Sequence, residues 1–152
     1  FTATSVVTQP DRPKGRGRKL QPPPVKTAAQ TLGYPVLQPE NPRTRSFADR
    51  LSEIKPDLFV VIAFGHILPQ KLLDIPRLGA VNIHASLLPK YRGPAPIHWA
   101  VINRETESGI TAIQMDTGMD TGDMLVKERL EITSDETTGT LHDRLAELGA
   151  KV

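Results

Sequence analysis

Asn82 and His84 stand two positions apart at the end of an apolar run, GAVNIH over residues 79–84. Successive side chains in a β-strand alternate between faces, so this pair shares one face. An amide and an imidazole so placed could both direct donors at one reacting oxygen, the arrangement that stabilises developing negative charge in acyl-type transfers. Their expected location also suits chemistry, because ligands of open α/β sheets bind beyond the carboxyl ends of the strands. Taken alone, a histidine at a strand end is more often a satisfied hydrogen-bonding residue than a catalytic one. The chain that follows shifts the balance. Ser86, Leu87, Leu88 and Pro89 lead into Lys90-Tyr91-Arg92-Gly93-Pro94, a closely spaced polar loop that would be costly to order for packing alone.

A second cluster, MDTGMDTGD over residues 115–123, holds three carboxylates: Asp116, Asp120 and Asp123. A calcium loop needs acids at alternate positions closed by a bidentate glutamate, which this spacing does not provide. The doubled Asp-Thr-Gly also occurs in aspartic proteases, but their two carboxylates converge from separate lobes, and one short loop is the wrong geometry. Two readings remain. The aspartates shape a turn by accepting from nearby backbone, or one of them orients His84, where a neighbouring carboxylate favours the imidazolium.

Elements to position these groups are legible along the chain. Residues 2–8 are rich in β-branched types and read as a strand. Residues 9–24, with five prolines and two glycines, read as a long loop. A helix is expected over 25–32, ending at Gly33, then a short strand over 35–37. Phe47, Leu51 and Ile54 have helical spacing within 43–54. The unbroken apolar run 58–63 is typical of a strand buried on both faces. A helical turn is expected at 70–74, a strand at 80–84, a helix at 94–103 and strands at 109–115 and 124–130. A final helix over 137–148 starts at Thr137 or Thr138 and stops at Gly149. Strands alternating with helices indicate an α/β domain with helices on both faces of the sheet, read here as one domain spanning 1–152.

Charge distribution carries a further hint. The net charge is only +2, yet between Gln9 and Lys26 six bases (Arg12, Lys14, Arg16, Arg18, Lys19 and Lys26) stand against one acid, Asp11. Arg and Lys interleaved with glycine and proline cannot pack into a core. The stretch is either a solvated basic loop or a contact for nucleic-acid phosphates. It lacks the phosphate-loop pattern and has no aromatics for base stacking. With no cysteine, disulfides and thiolate metal sites are excluded. No apolar run approaches the roughly 18 residues of a membrane span, so no membrane partner is expected.

The combination Asn82-x-His84, Ser86-Leu87-Leu88-Pro89, Tyr91-Arg92-Gly93-x-x-Pro96-Ile97 and Asp120-Thr121-Gly122-Asp123 resembles the folate-dependent formyltransferase family. That family includes enzymes acting on methionyl-tRNA, glycinamide ribonucleotide and amino-sugars, and a formyltetrahydrofolate hydrolase domain. The resemblance spans about residues 57–130. It implies a Rossmann-like, open, mostly parallel sheet and a catalytic trio of Asn82, His84 and Asp120, with Asp116 and Asp123 shaping their loop. It also implies 10-formyltetrahydrofolate as formyl donor, with no metal. The donor would be held by Ser86, Leu87, Leu88 and Pro89, by the backbone around Phe64, Gly65, Ile67 and Leu68, and by the loop 115–120. Asn82 and His84 would donate to the oxyanion, each worth roughly 3–4 kcal/mol in comparable sites.

The segment QPDRPKGRGRKL over 9–20 resembles the tRNA-contacting insertion of the methionyl-tRNA branch, which implies contacts from Arg16, Arg18 and Lys19 and initiator methionyl-tRNA as the acceptor. It further implies a monomer in the bacterial cytoplasm or an organelle. Relative to the family pattern, a first βα unit and a carboxyl-terminal barrel-like domain lie outside these residues, so the domain is expected to be incomplete. Two alternatives stay open: transfer to an amino-sugar or to water, and a nucleic-acid-binding module without catalysis.

Overall fold

The computed structural model describes residues 2–152, which divide after Pro56 into two compact units. In the first unit, β1 (Val6–Val7) pairs in parallel with β4 (Val36–Leu37). The strand expected over 2–8 is confined to two residues because its partner is short and flanked by Pro35 and Pro39, which have no N–H for a ladder. The stretch expected to be a long loop is instead a hairpin. In it, β2 (Arg12–Lys14) pairs antiparallel with β3 (Lys19–Gln21), Lys14 opposite Lys19. The turn closes through Arg18 N–H to Gly15 O at 3.2 Å, and Gly15 lies at φ 74°, where a side chain would be strained. The two-glycine turn outweighs the prolines, since Pro13 sits in an edge strand that needs no donor there.

Helix α1 (Pro24–Thr31) opens on proline, whose missing N–H costs nothing in a first turn. Helix α2 (Arg45–Ile54) is capped by Thr44, whose hydroxyl accepts from Phe47 N–H, and buries Phe47 and Leu51. It stops at Lys55, left-handed at φ 51°, just before Pro56.

The second unit is a four-stranded sheet in the order β5 (Phe59–Val61), β6 (Ala80–His84), β7 (Glu107–Gln114), β8 (Met124–Glu131). The α/β reading holds, and the sheet is mixed: β5 and β6 are parallel, whereas β6–β7 and β7–β8 are antiparallel. The link from β7 to β8 is too short for the crossover that a parallel pair would require. The run 58–63 is not buried on both faces. Strand β5 ends the sheet with one neighbour, leaving Val60 62% and Ile62 64% exposed. The remaining helices are α3 (Gln70–Leu73), α4 (Pro96–Ile102) and α5 (Thr138–Gly149).

Leu141, Leu145 and Leu148 recur at helical spacing on α5. The first two are fully buried with Ile110 of β7, and Ile83, Ile97, Val101 and Leu130 pack around them. Burial of each such leucine contributes about 1.5–3 kcal/mol. The start of α5 is a capping box: Thr137 Oγ1 accepts from Thr140 N–H at 3.2 Å, and Thr140 Oγ1 accepts from Thr137 N–H at 3.0 Å. Thr137→Ala is expected to cost about 1 kcal/mol, read as a lower urea midpoint at unchanged slope. An unchanged midpoint would show that core contacts alone hold the helix end.

Candidate functional site

Strand β6 presents Asn82 opposite Ile113 and His84 opposite Thr111, with their side chains on one face. Strands β5 and β6 are parallel, so the loop 64–68 leaves the same end of the sheet as His84. The third residue arrives differently. Because β7 runs antiparallel to β6, the loop 115–123 leaves at the amino end of β6, where Met115 N–H donates to Ala80 O at 2.7 Å. It then folds back so that Asp120 reaches both Asn82 and His84.

Local chemistry forces that return. Gly122 lies so close to β7 that a Cβ there would stand 1.7 Å from Gln114 O. Asp116 accepts from Gly118 N–H at 2.9 Å and from Thr121 Oγ1 at 2.7 Å, fastening the turn from within. Asp120 itself is left-handed at φ 53°, a conformation that aspartate tolerates better than most residues.

Asp120 is the hub of the site. Its Oδ1 accepts from Asn82 Nδ2 at 3.1 Å, and its Oδ2 accepts from Gly93 N–H at 2.9 Å and faces His84 Nδ1 at 3.4 Å. Its carbonyl accepts from Arg92 Nε at 2.9 Å. His84 and Asp120 are 7% and 13% exposed, so their contact lies largely out of water. The other ring nitrogen, Nε2, lies 2.9 Å from Tyr91 O. A carbonyl only accepts, so Nε2 carries the hydrogen in this contact. Asn82 Nδ2 has two hydrogens and gives one to Asp120.

The loop after β6 is held by buried polar contacts. Ser86 Oγ donates to Lys90 O at 2.6 Å. Thr111, fully buried, receives Leu88 N–H at 3.1 Å and donates to Ser86 O at 2.7 Å, and Lys127 Nζ reaches Leu88 O. Of the residues expected to meet the formyl donor, Ser86, Leu88 and Leu68 are buried, Phe64 and Leu87 half-buried, and Gly65, Ile67 and Pro89 exposed. The Phe64 ring stands tilted against His66, with centroids 5.4 Å apart. Sequence reasoning assigns no individual role to Tyr91, Arg92, Gly93 or Thr111. Tyr91-Arg92-Gly93 is visible as part of a motif, whereas Thr111 looks like any strand threonine.

In the first unit, Arg16 and Arg18 lie in the hairpin turn and Lys19 begins β3, all exposed. Lys26 is not displayed with them. Its Nζ meets both oxygens of Asp11 at 2.8 and 2.7 Å, and Gln38 Nε2 donates to Asp11 Oδ1 at 2.7 Å and to Gln9 O at 2.9 Å. The hydrogen bond from Gln38, then that from Lys26, holds the Asp11 carboxyl below its ordinary value. The one acid of the basic stretch thus ties the root of the hairpin to α1 and to the end of β4.

The family model described as formyl transferase matches residues 2–152. The chain belongs to the formyl transferase family. Among its relatives, the methionyl-tRNA formyltransferase of Geobacter metallireducens is 63% identical over 147 residues, covering 97% of this chain and 47% of the relative. That of Geobacter sulfurreducens is 62% identical over the same length, covering 97% and 46%. The chain therefore spans about half the length of the curated relatives it matches. A solved phosphoribosylglycinamide formyltransferase from Bacillus halodurans superposes with TM-score 0.78 at 22% identity, covering 97% of this chain and 75% of that one. The formyltransferase PseJ from Anoxybacillus kamchatkensis, solved in complex with a UDP-linked formamido sugar and tetrahydrofolate, gives 0.64 at 19% identity, covering 97% and 71%. At these identities the two structures show the shared fold. No helix among the described residues is long and apolar enough to cross a membrane.

Proposed function

We propose that this chain is the larger part of the catalytic domain of a cytoplasmic methionyl-tRNA formyltransferase. It would be completed by a preceding βα unit and followed by a carboxyl-terminal barrel-like domain. The observation that carries the reading is the Asn82–Asp120–His84 bridge within a formyl transferase chain. The names of those two relatives, 63% and 62% identical, favour the amine of methionyl-tRNA as acceptor.

The formyl donor, 10-formyltetrahydrofolate, supplies an activated formyl group on its N10. In the transfer the amine loses one proton and N10 gains one, so the site needs a group that both takes and gives a proton. His84, steered by Asp120, fills that role through Nδ1, since Nε2 is committed to Tyr91 O. Asn82 offers its second amide hydrogen to the formyl oxygen as negative charge develops there. The residues present fit such a donor. The loop 64–68 and the segment 86–89 leave one end of the sheet, and Ile67, 46% exposed, offers apolar surface beside backbone donors and acceptors. Ser86 shapes this site rather than binding through its hydroxyl, which is committed to Lys90 O.

Arg16, Arg18 and Lys19 bind phosphates of the acceptor tRNA in this account. Replacing all three with alanine in the intact protein is expected to raise KM for methionyl-tRNA at least tenfold. It should also flatten the salt dependence of log(kcat/KM) by about 2–3, at roughly 0.7–0.9 for each phosphate left without its cation. KM for the folate donor should not move. An unchanged salt slope would remove the hairpin from the tRNA interface.

A further inference from the structure

Outside the trio, a polar cluster joins the loop after β6 to the turn after α4. Tyr91 is left-handed at φ 58°, an uncommon conformation for a bulky residue that persists only where its surroundings impose it. Its hydroxyl donates to Glu105 Oε1 at 2.6 Å and accepts from Asn103 Nδ2 at 2.9 Å. Glu105 also meets Lys90 Nζ, at 3.1 Å through Oε2, and its side chain is 23% exposed. The turn bearing Glu105 is itself fixed, with Glu105 N–H donating to Ala100 O at 3.0 Å and Arg104 N–H to Val101 O at 3.1 Å.

The main chain that this cluster grips faces the reaction centre. Tyr91 O accepts from His84 Nε2, Arg92 Nε binds Asp120 O, and Gly93 N–H binds Asp120 Oδ2. Consecutive residues therefore contact both His84 and Asp120, and the Tyr91 side chain is one point at which that segment is tied down. We propose that Glu105 is a positioning residue for His84, acting through the Tyr91 hydroxyl to fix the carbonyl that orients the imidazole. The assignment rests on the formyl-transfer reading for its consequence in kcat, but not for its structural content. The Glu105 carboxyl is held below its ordinary value by the hydrogen bond from Tyr91 and then by that from Lys90, so it accepts in its ionised form, where such bonds are strongest.

The test uses the intact protein with ¹⁵N-labelled histidine and the variants Glu105→Leu, Glu105→Gln, Tyr91→Phe, Tyr91→Phe/Glu105→Leu and Lys90→Ala. Glu105→Leu and Tyr91→Phe should each lower kcat about tenfold while KM for either substrate changes less than about twofold. The double variant should be no worse than either single one, because both remove the same link. The His84 ring resonances should shift in both single variants. Glu105→Gln, which still offers an oxygen to the hydroxyl, should restore kcat to within about twofold of the parent and the resonances towards the parental position. Lys90→Ala should leave the ring resonances in place. Unmoved His84 resonances in Tyr91→Phe and Glu105→Leu, or additive losses of kcat, would overturn the proposal. Should Glu105→Leu fail to fold, the near-isosteric Tyr91→Phe and Glu105→Gln decide it. If the parent itself transfers no formyl group to any acceptor, the functional reading fails, whereas the ring resonances still decide whether Glu105 positions His84.

Discussion

Asp120→Ala in the intact protein is expected to lower kcat for formyl transfer by about 10²–10³, the loss that follows removal of a preorganised electrostatic element. The carboxylate receives Asn82 Nδ2 and Gly93 N–H and faces His84 Nδ1, and all three lose their partner together. Leaving such groups unpaired costs about 1–3 kcal/mol each, less where water replaces the carboxylate, so the variant should also unfold earlier in urea. Asp120→Asn separates charge from shape. Asparagine tolerates the left-handed backbone at φ 53°, so the loop should keep its path. Because its one oxygen can serve only one of Asn82 Nδ2 and Gly93 N–H, the urea midpoint should fall, though less than in Asp120→Ala. The charge facing His84 is gone, and kcat should still fall about a hundredfold. An asparagine variant with parental kcat would mean that Asp120 shapes the loop and takes no electrostatic part.

Gly122→Ala should be the most damaging single methyl addition in the second unit. The new Cβ would stand 1.7 Å from Gln114 O and 2.9 Å from its carbon. Both are backbone atoms of β7, which is paired on both sides, so neither can move aside cheaply. Destabilisation of about 3 kcal/mol is expected, at the upper end for overpacking. Activity should fall further than the folded fraction does, because the displaced loop carries Asp120. Gly15→Ala provides the contrast. Its added methyl would have nothing within 4 Å, and only the left-handed φ of 74° opposes it, so about 1 kcal/mol is expected. Equal urea midpoints for the two variants would show that the contact at Gln114 is relieved by a shift in the loop.

The pairing of Asn82 with His84 is legible in sequence because strand alternation fixes which side chains share a face, wherever the strand lies in the sheet. Their companion is less legible. Spacing alone leaves Asp116, Asp120 and Asp123 open, and only the family resemblance favours Asp120. The structure brings Asp120 to the pair through a loop that starts at the wrong end of β6 and folds back, a path set by Gly122 and by the Asp116–Thr121 contact. The hairpin β2–β3 reads as a loop because its strands carry no apolar alternation; a glycine turn and a salt-bridged root shape it instead. The sequence overstates the burial of the run 58–63 because apolar residues do not reveal how many neighbours their strand has. Glu105 gives no signal, since its partner Tyr91 is known only once the turn after α4 is closed.

The most direct test is a formyl-transfer assay on the intact protein, parent and His84→Ala side by side. It would supply 10-formyltetrahydrofolate with methionyl-tRNA, an amino-sugar nucleotide or water as acceptor. The account predicts transfer to methionyl-tRNA by the parent and a loss of at least about a hundredfold in kcat in the variant. Transfer to the sugar or to water alone would keep the chemistry and contradict the acceptor. Undiminished transfer by His84→Ala, or no transfer by the parent to any acceptor, would contradict the account of the site itself.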